Sequence, residues 1–145
     1  MNKEKMTFIL EKDEDGYPPD DSETLWVENL GDNKYRIDNI PFYVRGLSPD
    51  DVVAGKINNN ILMFDRYVEK SNISVFRIVF FDRSKMDIVL STAVKMGCRW
   101  EGSHLKNLYS IEIPRSVDLN EVRNLLNAEA SNDVLDYEEA SIRSD

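Results

Sequence analysis

Cysteine occurs once in this chain, as Cys98, and histidine once, as His104. A lone cysteine excludes an internal disulfide, and one cysteine with one histidine cannot make a metal cluster of the usual spacing. Long apolar runs are missing as well. No stretch nears the roughly 18 residues that cross a bilayer, and "MNKEKMTFILEKDEDG" has no apolar core of signal-peptide length. These absences predict a cytoplasmic chain with no cofactor, no metal and no membrane partner. The sequon Asn72-Ile73-Ser74 carries no meaning in that compartment. There is no Gly-rich phosphate loop opening a helix and no G-x-S-x-G elbow, so the commonest enzyme signatures are absent. Positive charge is scarce: 18 Lys and Arg stand against 27 Asp and Glu, for a net charge of −9. Direct nucleic-acid binding needs the opposite sign, because phosphates must be neutralised.

The negative charge that is present sits at two places. Glu11 to Glu23 hold seven acids and one lysine, Asp133 to Asp145 hold five acids and one arginine, and the rest of the chain sums to +1. Acidic ends of this kind serve solubility in many proteins. They also favour a basic protein partner, since complementary charge speeds encounter and rejects wrong partners.

At 145 residues the chain is long enough to bury a core, with room for one domain or two small subdomains. "EKDEDGYPPDDSE" reads as a turn-rich mobile arm, preceded by a possible short edge strand in "MTFIL". "TLWVENL" and "YRIDNI" alternate about a "GDNK" turn and predict a hairpin. "FYV", "DDVVAGKI" and "ILMFDRYVEK" follow as strands, with "NNN" as a tight turn before the last of them. That gives about five short strands between residues 24 and 70 and no helix, as in a small antiparallel sheet or partial barrel.

The second half changes character. "SVFRIVFF" is apolar on both faces apart from Arg77, the mark of a covered central strand. "SKMDIVLSTAVKMG" predicts an amphipathic helix with a capping-box start at Ser84 and a stop at Gly97. "CRWEG" and "LYSIEIP" read as strands, "DLNEVRNLLNAEA" as a second helix capped by Asp118, and "VLDYEEA" as a last strand. The expected fold class is therefore α+β: an acidic arm over 1–23, a small antiparallel β subdomain over 24–72, and a ferredoxin-like β-α-β-β-α-β half over 73–145.

Candidate chemistry is thin. Cys98 and His104 could form a thiolate dyad, but a cysteine at a helix–strand junction reads more readily as core filler. Asp50-Asp51 opens a strand, where a carboxylate can accept turn N–H groups, and it lacks partners for metal or acid–base work. Adjacent Glu138 and Glu139 leave a strand on opposite faces, whereas Asp136 and Glu138 share one. Asp133, Asp136, Tyr137, Glu138 and Glu139 are accordingly the candidate partner-binding residues, with Tyr137 as the aromatic anchor, and no catalytic residue is expected. Trp26 and Trp100 read as core or rim.

"LWVENLGDNKYRIDNIPFYVRGLSPDDVV", "KMGCRWEGS", "LYSIEIP" and "LDYEEA" together resemble the bacterial domain-of-unknown-function family 4265, over about Glu23 to Ala140. Trp26, Tyr35, Asn39, Ile40, Pro41, Phe42, Gly46, Val52, Val53, Gly97, Cys98, Tyr137 and Glu138 carry the likeness, and Asp50 departs from the family's more usual glycine. The family brings no catalytic residues. Its Asn-Ile-Pro-Phe and Asp-Val-Val stretches hold turn formers and core residues rather than a reactive set. Some small acidic bacterial proteins of this kind look like immunity proteins. The resemblance and the charge thus imply an antitoxin, of the contact-dependent-inhibition type, that occludes a basic nuclease-type toxin. The alternative is a small-molecule-sensing regulatory domain of ferredoxin-like type.

Overall fold

The computed structural model describes residues 3–143 and divides the chain into two compact units, Met1–Ser71 and Asn72–Asp145. In the first unit, β1 (Lys3–Ile9), β2 (Ser22–Gly31), β3 (Lys34–Ile37), β4 (Val52–Asn58) and β5 (Ile61–Glu69) form a closed barrel. Neighbours run antiparallel until the closure, where β1 meets β5 in parallel at Thr7 and Met63. Alternation along the strands explains the interior: Met6 and Phe8, Leu25 and Val27, and Tyr35 and Ile37 point inward with Val53 and Leu62. Two-residue turns join β2 to β3 and β4 to β5. Their central pairs, Asp32-Asn33 and Asn59-Asn60, all have positive φ, which matches the twist that two-residue hairpins need. Gly55 is required for a different reason: a Cβ there would lie 2.8 Å from both Leu62 Cδ1 and Tyr35 Cε1.

Two expectations change here. Residues 24–70 contain four strands, not five, because Phe42-Tyr43-Val44 is an irregular segment whose N–H groups bond a side chain instead of a ladder. The fifth barrel strand is β1, which overlaps the short edge strand expected in "MTFIL" and lies within the 1–23 stretch otherwise expected to be an arm. The sheet is also closed, where a partial barrel was expected.

The second unit runs β6 (Ser74–Phe80), a 3-10 turn (Arg83–Lys85), α1 (Met86–Met96), β7 (Arg99–Gly102), β8 (Leu108–Ile113), α2 (Leu119–Ser131) and β9 (Leu135–Ser141). Its sheet has the order β7-β8-β6-β9, antiparallel at every pair. Phe76, Ile78 and Phe80 of β6 meet Val89, Leu90 and Ala93 of α1 and Val122 and Leu126 of α2, so both helices cover one face. Each such large side chain contributes about 1.5–3 kcal/mol when fully buried. Gly97 ends α1 at φ 113°, its N–H bonded to the Ala93 and Val94 carbonyls, and Asp118 caps α2 by accepting from Asn120 N at 2.8 Å. Ser84 does not cap α1. It donates its N–H and hydroxyl to Asp82, at 3.0 and 2.6 Å, which forms the 3-10 turn first and delays the α-helix to Met86. Among the described residues no helix is long and apolar enough to cross a membrane.

Candidate functional site

The five acidic-end residues occupy β9 and the turn before it, and they do not form one patch. Asp133 stands in the turn after α2 with φ 58°. Asp136 is exposed, and Glu138 shares its side of the strand. Glu138 lies opposite Arg77 of β6 and forms an ion pair with it at 3.3 Å, where the Arg77 side chain is 3% exposed. On the other face, Tyr137 stacks on Phe76 with centroids 5.8 Å apart and donates its hydroxyl to Asn127 Oδ1 at 2.8 Å. Burial, then the Glu139 charge, raises its phenol above the ordinary value. Glu139 accepts two hydrogen bonds from Arg123, both at 2.8 Å. Three of the five residues are thus tied into this unit's own structure, and among the described residues Asp133 and Asp136 are the two of the five that are acids with no ion pair.

The Arg123 hydrogen bonds hold the Glu139 carboxyl below its ordinary value of 4.5. A depressed folded-state value stabilises the fold above the unfolded value and loses that contribution as pH falls through the folded one. Both side chains are about a third exposed, so the effect is small. Urea midpoints of the native protein and Arg123→Gln are expected to differ slightly at neutral pH and to converge as pH drops well below 4.5.

Cys98 is buried in the helix-covered core. Burial, then the Glu112 charge, pushes its thiol up to about 11, which opposes thiolate formation, and His104 is exposed in the β7–β8 connection. Asp51 is fully buried and accepts backbone N–H groups from Ser48 at 2.9 Å and Ser71 at 2.8 Å, whereas its neighbour Asp50 is exposed with φ 65°. The two carboxylates therefore have different surroundings. Among the described residues no three His, Cys, Asp or Glu side chains converge on a possible metal position.

A different feature emerges on the barrel unit. The acidic segment after β1 is a hydrogen-bonded loop. Leu10 N donates to Asp21 O at 3.0 Å, Asp13 N donates to Tyr17 O at 2.8 Å, and the Asp13 carboxylate accepts from Asp15 N and Tyr17 N, each at 2.9 Å. Lys12 folds back over the loop, its ammonium bonded to the Pro18 carbonyl at 3.0 Å and paired with the exposed Asp21 at 3.3 Å. Glu23 anchors the facing segment by accepting from Phe42, Tyr43 and Val44 N–H groups at 2.7 to 3.0 Å. Between this loop, residues 43–45, the end of β1 and β5 lies a groove of about 450 Å³. Its aromatic lining comes from Phe8, Tyr17, Tyr43, Phe64 and Tyr67. Phe8 and Phe64 stack at 5.2 Å, Phe64 and Tyr67 meet edge-on at 5.2 Å, and Tyr17 meets Tyr43 edge-on at 6.1 Å.

Sequence alternation hides this groove, because residues 64 and 67 should face opposite sides of a regular strand. In β5 the register with β4 shifts around Asp65: Gly55 pairs with Phe64, but Ala54 pairs with Arg66. The extra residue reverses the alternation and puts Phe64 and Tyr67 on one side. The only sequence signals available were the concentration of tyrosines and phenylalanines and the acidic loop itself.

Comparison with known proteins agrees with this architecture. The family model described as "Domain of unknown function (DUF4265)" matches residues 23–137. A solved structure described as the novel crystal structure of a hypothetical protein from Neisseria gonorrhoeae is similar over 99% of this chain and 97% of that one. Its TM-score is 0.85 at 22% identity, a likeness of fold alone. No curated protein matches.

Proposed function

This chain belongs to the DUF4265 family of domains of unknown function, and from that premise we propose that it is an acidic cytoplasmic protein-binding module, an immunity protein that seats on a basic nuclease-type toxin and occludes it. One observation carries the reading: the exposed acids Glu11, Asp13, Glu14, Asp15 and Asp20 are held on a hydrogen-bonded loop beside an aromatic groove. Fixed charge beside apolar rings supplies steering and an anchor together. The mechanism is steric, and no residue of this chain performs chemistry on the partner. Asp133 and Asp136 add a second, weaker negative region on the other unit. That unit reads as ferredoxin-like, a reading supported by its β-α-β-β-α-β order, its strand order and its two helices on one face.

The proposal predicts that a gene beside this one encodes a cationic nuclease domain, and the test is association with that domain. A stoichiometric complex at low salt is expected, with nuclease activity blocked and an association rate that drops steeply as salt is added. Separate elution of the two proteins at low salt would remove the proposal. The competing reading is a small-molecule sensor. It draws on the groove's volume, which falls within the range of about 300–1,000 Å³ usual for ligand sites. A metabolite that raises the melting temperature, in a chain that ignores the nuclease domain, would favour it.

A further inference from the structure

We propose that the aromatic groove of the barrel unit receives an extended, arginine-bearing segment of the partner protein. This rests on the protein-binding reading above and assigns it a site and a recognition chemistry.

The groove is walled from two directions. β1 and β5 supply Phe8, Phe64 and Tyr67, while the acidic loop and residues 43–45 supply Tyr17 and Tyr43. Tyr17 is 40% exposed and Tyr67 is 39% exposed, so both rings are within reach of an incoming side chain. The opening follows from the topology. β1 pairs with β5 at a single ladder position, Thr7 with Met63, and β5 bulges just beyond it, beside the Phe8–Phe64 stack. An open trench lined with aromatic side chains takes an extended segment, which lays alternate side chains against the rings.

The charge around the trench selects a cation. Residues 11–23 hold seven acids against one lysine, and that lysine is already bonded to Pro18 and Asp21. Lys12 and Arg45 line the groove together with Glu11 and Asp13, so the negative excess around it comes from the rest of the acidic loop. One groove ring already attracts a cation within the chain, since Lys70 Nζ lies 5.9 Å from the centre of the Tyr67 ring. Arginine fits better than lysine. Its planar guanidinium stacks on tyrosine faces while its edge donates to carboxylates, whereas a lysine ammonium is a strongly hydrated point charge. A nucleic-acid strand also stacks on aromatic rings, but its phosphates would meet the acidic loop.

The experiment uses the full chain and three labelled peptides that alternate proline with arginine, lysine or citrulline, read by fluorescence anisotropy. Saturable binding of the arginine peptide is expected, weaker binding of the lysine peptide, and none of the citrulline peptide. Tyr67→Ala and Tyr17→Ala should each weaken the arginine peptide by about threefold to thirtyfold, the range expected for loss of a cation–ring contact. Tyr67→Phe should retain binding, and unchanged melting temperatures would show that the fold is intact. Joint replacement of Glu11, Glu14, Asp15 and Asp20 by their amides should weaken binding and flatten its salt dependence. The groove assignment is overturned if the arginine peptide does not saturate, if both tyrosine variants bind it unchanged, or if a labelled single-stranded oligonucleotide, with no peptide present, binds the protein and loses that binding in both tyrosine variants. Capture of the nuclease domain with equal affinity by the native protein and both tyrosine variants would defeat the groove while leaving the protein-binding reading intact. Peptide binding in the groove without any association with the nuclease domain would do the reverse.

Discussion

Asp51→Ala is expected to destabilise the barrel unit by about 3–5 kcal/mol, as two N–H groups lose a charged acceptor. The Asp51 side chain is 0% exposed, with one oxygen bonded to Ser48 N and the other to Ser71 N. These contacts join separate parts of the chain. Ser48 belongs to the irregular crossing between β3 and β4, and Ser71 follows the end of β5. The backbone of Asp51 adds to the same junction, because its carbonyl accepts from Ile37 N at 2.9 Å where β3 ends. Ser71 completes it by donating its hydroxyl to the Pro49 carbonyl at 2.7 Å. An alanine would leave Ser48 N and Ser71 N to water that must enter a closed site. Asparagine keeps a single carbonyl oxygen and should lose roughly half as much. With total stability of domains at about 5–15 kcal/mol, the alanine variant should show a large drop in urea midpoint. A loss under about 1 kcal/mol would mean that water replaces the carboxylate without penalty.

The same residue shows where sequence reasoning succeeds and where it stops. Asp50-Asp51 is recognisable in the sequence as a turn pair whose carboxylates can accept backbone N–H groups. Ser71, twenty positions away, cannot be chosen as a partner without the register of the β4–β5 hairpin, which sets Val52 opposite Glu69 and is shifted at two places. The second unit is more legible because its signals are local. Asp118 caps α2, Gly97 ends α1 in the left-handed region, and the doubly apolar β6 lies in the middle of its sheet. The first unit depends on contacts distant in sequence. β1 is seven residues with lysines and a glutamate among its first three, and only pairing with β2 from Lys3↔Glu28 to Ile9↔Ser22 makes it a strand. Its acidic continuation looks like a mobile arm because the composition is that of one. The hydrogen bonds from Leu10 to Asp21 and around Asp13 come from the hairpin that β1 and β2 create. Phe42-Tyr43-Val44 has strand propensity, but the Glu23 carboxylate takes its three N–H groups and fixes it as a loop facing the groove. The candidate acids on β9 are exposed in a pattern sense. Their electrostatic value depends on whether a cation sits on the adjacent strand or helix, and that is a property of register.

Register decides the second large effect as well. Glu138→Gln is expected to lower the stability of the second unit by about 1–3 kcal/mol, because Arg77 then keeps its charge in a buried position with a weaker acceptor. The lower part of the usual range for broken buried ion pairs applies, since Glu138 is 35% exposed and solvent compensates in part. Arg77→Met combined with Glu138→Gln removes the buried charge together with its partner and replaces the guanidinium stem by an apolar chain. That double variant should be more stable than Glu138→Gln alone. Urea denaturation of the native protein, both single variants and the double variant measures the coupling directly. A role for Glu138 as an exposed partner contact demands the opposite pattern: weakened association with a basic partner and unchanged stability. If Glu138→Gln proves neutral within about 0.5 kcal/mol, the ion pair contributes no stability and Glu138 returns to the set of partner-binding candidates. The predicted loss would instead make Glu138 a counter-charge that allows an arginine to occupy the middle of an otherwise apolar strand, leaving Asp136 as the residue of that face able to meet a partner.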